Sequence, residues 1–374
     1  MAYLIVLKSQ PCIEITTRCY TGCDMCYKQE TVGPKKPHVP LETVIKRIDW
    51  INRFVLCQTI VLVGGEPLLH PDFIQIADYI ISKGNTVSII TSGRLSFRPI
   101  EKINLLYALD LYEKGLLSFN LSYHPEGNDK QYLSVLAEIK KRYEKNREAR
   151  KARSQYSDLD HDLFSTVVLD GTYLEDEKLL AILNFLILNS YTEDDRCTFK
   201  STRFKKLKAF LSDYFLGENP ESRSISLSAT DDNRKFRHTI RFFGMVFVEK
   251  IDGSTNHKVK LPEVGTCDII GSTVKDDSIF LPSLLVREDG DVVFSSAECN
   301  LTGGLFNADL HQTKESITAA CSASLDQIKS MIYLANRQKA LENCNPDGSE
   351  KPCTGCPFGN ICTTCHAMKR PWQI

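Results

Sequence analysis

Short apolar, β-branched runs recur along the first part of the chain: Cys12–Thr16, Thr59–Val63, Thr86–Ile90, Leu117–Ser122, Phe164–Leu169 and Ser224–Ser228. Between them lie segments whose apolar residues repeat with helical period. In 41–56, Val44, Ile48, Ile51 and Val55 mark one face, and Pro40 suits the entry to the helix. In 72–83, Phe73, Ile76 and Ile80 do the same, and Gly84 supplies the stop. Strand and helix in alternation predict an α/β fold, a parallel sheet with covering helices. Six such units fall short of the eight that close a barrel.

The pattern changes near Asp232. His238–Ile251 reads as one extended strand, and Leu284–Ser296 as a hairpin turning at Asp289-Gly290. A helix is predicted over Ser324–Glu342, followed by a loop rich in Cys, Gly and Pro. The expected division is a first domain over 1–230, then a linker and a small α+β cysteine-rich domain over 231–374.

The 374 residues suit two domains, and 42% hydrophobic with 25% charged residues is ordinary for a globular protein. A net charge of -1 gives no global pull toward nucleic acid or a membrane surface. The helix expected over Asp129–Arg153 is rich in Lys and Arg, which reads first as a solvated face and second as a docking surface for an acidic peptide. The apolar start Tyr3–Leu7 is too short for a signal h-region, and no apolar run is long enough to span a bilayer. A cytoplasmic protein is expected.

In such a compartment, 14 cysteines argue for metal or redox chemistry rather than disulfides. Cys12 and Cys57 fall in apolar stretches and read as small buried hydrophobes; Cys197 reads as a free thiol. Cys19, Cys23 and Cys26 instead share one loop with C-x3-C-x2-C spacing. Three thiolates can hold three irons of a [4Fe–4S] cubane and leave the fourth open to a ligand. Structural zinc would need a fourth ligand, and the next His is His38.

This loop, just after the first strand, resembles the signature of the radical S-adenosylmethionine (SAM) superfamily, with Met25 at a position that is usually aromatic there. One unit later, Gly64-Gly65-Glu66-Pro67 looks like the motif that meets the SAM amine in that family. Thr91-Ser92-Gly93 stands where relatives often carry Thr-Asn-Gly, which makes Ser92 a candidate ribose contact; Ser122 ends the fourth strand at the family's serine position. The SAM-binding set that the resemblance implies is thus Gly64, Gly65, Glu66, Pro67, Ser92, Ser122 and Met25. His124 is a candidate general acid or base, with a structural histidine as the plainer reading. The resemblance implies an open (β/α)6 partial TIM barrel, a SAM-binding [4Fe–4S] cluster held by Cys19, Cys23 and Cys26, and a reductant such as flavodoxin or ferredoxin. The implied chemistry is a 5′-deoxyadenosyl radical that takes hydrogen from the substrate.

Eight more cysteines follow: Cys267, Cys299, Cys321, Cys344, Cys353, Cys356, Cys362 and Cys365. Alone, the quartet Cys353-x2-Cys356-x5-Cys362-x2-Cys365 would suit a zinc ribbon. Behind the first loop, the set resembles the SPASM or twitch extension of peptide-modifying radical SAM enzymes, which carries one or two auxiliary iron–sulfur clusters. Two departures stand out: Ser295 occupies the usual hairpin cysteine position, and no Cys follows Cys365. The reading is an enzyme of ribosomal peptide (RiPP) maturation, an oxidoreductase that begins a crosslink, epimerisation or backbone excision by hydrogen abstraction. Because strand and cysteine loop start within the first 20 residues, a separate leader-recognition protein is expected as partner. The rivals are a twitch-type dehydrogenase acting on a small molecule and a zinc-stabilised binding module.

Overall fold

The computed structural model describes residues 4–7, 9–22, 31–94, 98–123, 129–152, 163–169, 175–187, 204–212, 224–230, 237–244, 247–249, 258–260, 273–275, 278–281, 283–293, 306–310 and 312–323. The first half runs β1 (Ile5–Leu7), β2 (Cys12–Thr16), α1 (Leu41–Phe54), β3 (Val55–Leu56), β4 (Thr59–Gly64), α2 (Phe73–Ser82), β5 (Thr86–Thr91), α3 (Pro99–Glu113), β6 (Leu117–Tyr123) and α4 (Asp129–Ala152). Then come β7 (Leu163–Leu169), α5 (Asp176–Ile187), β8 (Ser224–Thr230), β9 (Arg237–Gly244), β10 (Phe247–Glu249) and β11 (Lys258–Lys260). The last strands are β12 (Thr273–Lys275), β13 (Ser278–Leu281), β14 (Leu285–Val286), β15 (Asp291–Val293) and β16 (Phe306–Asn307). Two further helices cover 204–212 and 314–323.

The main sheet has ten strands in the order β16-β15-β14-β2-β4-β5-β6-β7-β9-β8. Its centre is the expected parallel array, β2, β4, β5, β6, β7 and β9. The sixth parallel strand is therefore Arg237–Gly244 and not the Ser224–Ser228 run, which forms β8 and pairs antiparallel to β9. Only residues 231–236 join β8 to β9. That length permits a hairpin but not the dozen or more residues of a parallel crossover. The sheet thus continues past residue 230, and the stretch expected as one strand over His238–Ile251 is split between β9 and β10, which pairs with β11 instead.

Two other expectations are corrected. The helix predicted through Leu56 ends at Phe54, because β-branched Val55 is extended and pairs with Ile5 of β1. The Gly290 hairpin forms, but it is no separate unit: β14 lies parallel to β2, with Leu285 opposite Cys12. Helix Ser324–Glu342 lies outside the described residues.

α1 to α4 cover one face of the sheet, burying Val44, Ile48 and Ile51, then Phe73, Ile76 and Ile80, then Leu105 and Leu109, then Val135, Leu136 and Ile139. The other face carries a small apolar cluster of Val61, Val63, Leu285 and Val293. Along β6, Leu117, Phe119, Leu121 and Tyr123 are buried, while Ser118, Asn120 and Ser122 alternate with them, partly exposed on the opposite face. Three cations of the basic helix α4 are ion-paired at its surface. Lys141 and Arg142 pair with Glu138, and Arg142 and Lys145 with Glu113. Among the described residues, no helix is long and apolar enough to cross a membrane.

Candidate functional site

The parallel strands end together around the start of the cysteine loop. Residues 31–39 return alongside 15–19 and clamp its base: Val39 N–H donates to Ile15 O at 2.9 Å, Gly33 N–H to Thr17 O at 3.0 Å, and Cys19 N–H to Gly33 O at 3.1 Å. Arg18 Nε adds a bond to Lys36 O at 2.9 Å. On the far side of Cys19, the Arg98 guanidinium stacks over Tyr20, 4.2 Å from the ring centre.

The end of β4 presses on the same base. Gly65 N–H donates to Thr16 O at 2.7 Å, and Glu66 N–H to Arg18 O at 2.8 Å. A Cβ on Gly64 would stand 2.1 Å from Thr16 O, and one on Gly65 would stand 2.2 Å from Arg18 O. Both positions therefore need glycine, and the close approach they serve is to the cysteine segment itself.

Glu66 is buried, and its carboxylate straps β4 to β5. Oε1 accepts from Leu68 N–H at 3.3 Å; Oε2 accepts from the Ser92 N–H and hydroxyl, each at 3.1 Å. Thr91 contributes a further side-chain bond. Burial raises the carboxyl pKa, and these four donors oppose the rise. The geometry thus gives Glu66 a role in holding Ser92, beside the ammonium contact expected of it.

Two histidines support the loop from behind. Thr16 Oγ1 lies 2.8 Å from His38 Nδ1 and also accepts Arg18 N–H at 2.9 Å, which leaves its proton for the ring. Burial first, then His70 and Arg18, push His38 down to about 4, so the ring is neutral and free to accept. Asp72 N–H donates to His70 Nδ1 at 3.0 Å, so the ring's proton sits on Nε2 and goes to Val39 O at 2.8 Å.

The structure brings together Cys19, Gly64, Gly65, Glu66, Pro67 and Ser92. Ser122 stands two strands from β4, opposite Thr166. Cys23, Met25, Cys26 and His124 lie outside the described residues, as do Cys267, Cys299, Cys344, Cys353, Cys356, Cys362 and Cys365. Among the described residues, no three His, Cys, Asp or Glu form a metal group.

Cys321 is the one cysteine of the expected auxiliary set among the described residues. It is fully buried in the main apolar core, on helix 314–323, and burial pushes its thiol up to about 12. Cys12 and Cys57 are likewise raised, to about 12 and about 11, chiefly by burial. The sequence reading missed Thr16, Thr21 and His38. Only Thr21 carried a signal there, as a hydroxyl residue two places after a candidate ligand cysteine.

The donor set and the glycine cradle fit a SAM-binding iron–sulfur site: a thiol at a strand end, next to a glycine pair and a strapped carboxylate. Residues 13–147 match the family model of the Radical SAM superfamily. An S-adenosylmethionine-dependent nucleotide dehydratase from Selenomonas ruminantium is 33% identical over 93 residues, which is 23% of this chain and 31% of that protein. Among solved structures, Streptococcus suis SuiB bound to S-adenosylmethionine aligns at 12% identity and TM-score 0.41, covering 84% of this chain and 65% of SuiB. AnSMEcpe, with bound AdoMet and the Cp18Cys peptide, aligns at 12% identity and TM-score 0.39, covering 95% of this chain and 89% of that one. The chain thus spans about a third of the dehydratase and less than two thirds of SuiB. The match to the Radical SAM superfamily model over 13–147 coincides with β2 through most of α4, the stretch that builds the cysteine-loop base, the glycine pair and the Glu66–Ser92 strap.

Proposed function

We propose that this chain is a radical SAM enzyme that abstracts hydrogen from a residue of a ribosomally made peptide. The observation that carries the radical reading is the placement of Cys19, first of the C-x3-C-x2-C set, against the Gly64–Gly65 cradle and the Glu66–Ser92 strap. Cys19, Cys23 and Cys26 would hold a [4Fe–4S] cluster; Gly64, Gly65, Glu66, Pro67, Ser92, Ser122 and Met25 would hold SAM. When bound, that pair supplies one-electron cleavage and a carbon radical able to take an unactivated hydrogen. The protein's own share is positional. The 31–39 clamp fixes where the cysteine loop leaves β2, and Glu66 keeps the ends of β4 and β5 at one spacing.

The peptide part rests on the C-terminal cysteines. Cys267, Cys299, Cys321, Cys344, Cys353, Cys356, Cys362 and Cys365 would furnish one or two auxiliary iron–sulfur clusters. A second reading, a small-molecule enzyme acting on a nucleotide, draws on the dehydratase match.

The test is an anaerobic preparation in which iron, sulfide and zinc are counted in the wild type and in the Cys19/Cys23/Cys26→Ala variant. Iron lost with that variant, together with SAM-derived 5′-deoxyadenosine from the wild type only, supports the radical reading. Zinc without iron refutes it. Turnover with a panel of nucleotides and none with peptides would transfer the substrate assignment to the second reading.

A further inference from the structure

The Cys19 thiol stands at the head of a line of hydroxyls. Its sulfur lies 3.5 Å from both the hydroxyl and the N–H of Thr21. Thr21 Oγ1 lies 3.5 Å from Ser92 Oγ, which in turn donates to Glu66 Oε2 at 3.1 Å. Each hydroxyl has a single proton to give. Ser92 commits its proton to Glu66 and takes the Arg94 N–H at 3.2 Å, so it faces Thr21 as an acceptor. The one proton of Thr21 therefore has two possible acceptors, Ser92 Oγ and the Cys19 sulfur.

As a thiol, Cys19 donates to Thr21, and the Thr21 proton points to Ser92. A metal-bound cysteine is a thiolate, with no proton and full negative charge. Hydrogen bonds to an ionised acceptor are the stronger kind. The distances point the same way: 3.5 Å is long for two hydroxyl oxygens, whose usual separation is about 2.7–2.8 Å, and ordinary for the larger sulfur.

Resting on the radical SAM reading above, we infer that Thr21 is a positioning residue whose hydroxyl donates to the Cys19 thiolate once a cluster is bound, and so raises the cluster's reduction potential. Hydrogen bonds to the sulfurs are one of the levers that set such potentials. A donor draws electron density from the sulfur and stabilises the reduced, more negative state. The backbone N–H of Thr21 serves the same sulfur whatever the side chain, so the hydroxyl's share is separable by substitution.

The experiment is a potentiometric titration of reconstituted protein, followed by EPR of the signal missing from the Cys19/Cys23/Cys26→Ala variant. Thr21→Val is expected to move the midpoint to more negative potential, with Thr21→Ser restoring it. An unshifted midpoint in Thr21→Val at full iron content overturns the inference and leaves the radical reading intact. If the wild type binds no iron at this loop, both fall together. Should Thr21→Val lose iron, Thr21→Ala, with no branched methyl to seat, is titrated in its place under the same two outcomes.

Discussion

Substituting Gly65 by alanine tests the link between the glycine pair and the cysteine loop. The added Cβ would stand 2.2 Å from Arg18 O, 2.6 Å from Arg18 C and 3.1 Å from Cys19 Cβ, where ordinary contact begins at 3.4 Å. Relief needs a separation of roughly 1 Å, since repulsion rises steeply inside contact distance. The obstacles are backbone atoms, so no side chain can turn aside. The movement would also stretch the bonds of Gly65 N–H to Thr16 O and of Glu66 N–H to Arg18 O. Overpacking costs about 1–3 kcal/mol and each weakened bond about 1 kcal/mol. The stability loss should therefore be about 3–5 kcal/mol. Function should suffer more, because a misplacement of about 1 Å in a reacting constellation can cost about 100-fold in rate. The assay is iron content and release of 5′-deoxyadenosine, compared with Gly33→Ala. That control lies in the same clamp, but its Cβ would meet only Lys36 Cγ at 3.5 Å. If Gly65→Ala kept full iron and wild-type release, the claim that the cradle sets the position of Cys19 would be refuted.

Arg47 is buried, gripping both oxygens of Asp309 at 2.8 and 2.7 Å and the carbonyls of Arg287 and Glu288 at 2.9 and 3.1 Å. Asp309→Ala strands this guanidinium and should cost about 3 kcal/mol, with faster amide exchange in 285–293 and 306–307; unchanged exchange there would contradict the clamp. His38 has a folded pKa of about 4 against 6.5 unperturbed. The stability it contributes is complete above pH 6.5 and falls as pH drops toward about 4. Urea midpoints measured across that window should decline less steeply in His38→Gln, and parallel slopes would show that the ring does not govern the decline. Cys321→Ser puts a hydroxyl in the apolar core and should lower stability by about 1–3 kcal/mol, read as a lower urea midpoint. Unchanged iron and sulfide at preserved fold would contradict a ligand role for this thiol.

The parallel sheet was legible because its strands are short apolar runs punctuated by turns, and because helices such as α2 repeat Phe73, Ile76 and Ile80 on one face. The candidate site was legible for a different reason. Its residues cluster at strand ends, so spacing along the chain maps onto position in space. What escaped the sequence reading depends on tertiary pairing. Nothing local distinguishes Ser224–Thr230 as an antiparallel strand, since its partner β9, and not its own composition, sets its direction. The burial of Cys321 in the main core likewise depends on tertiary packing and not on the cysteine spacing. Glu66 announced a carboxylate at a turn, and only the fold revealed that Ser92 and Leu68 hold both of its oxygens.

The pairing of the first strands with the last has a consequence for biosynthesis. Ile5 pairs with Ile279, and Cys12 with Leu285, so the two strands that lead into the cysteine loop find these neighbours only after most of the chain has been made. At about 5–20 residues per second of translation, the nascent N-terminus waits roughly 14–55 s with those edges bare. Late-closing, long-range pairings of this kind slow folding and expose strand edges to other chains. Yields of folded protein should therefore depend on chaperone supply and on slow synthesis as well as on the stability of the finished fold.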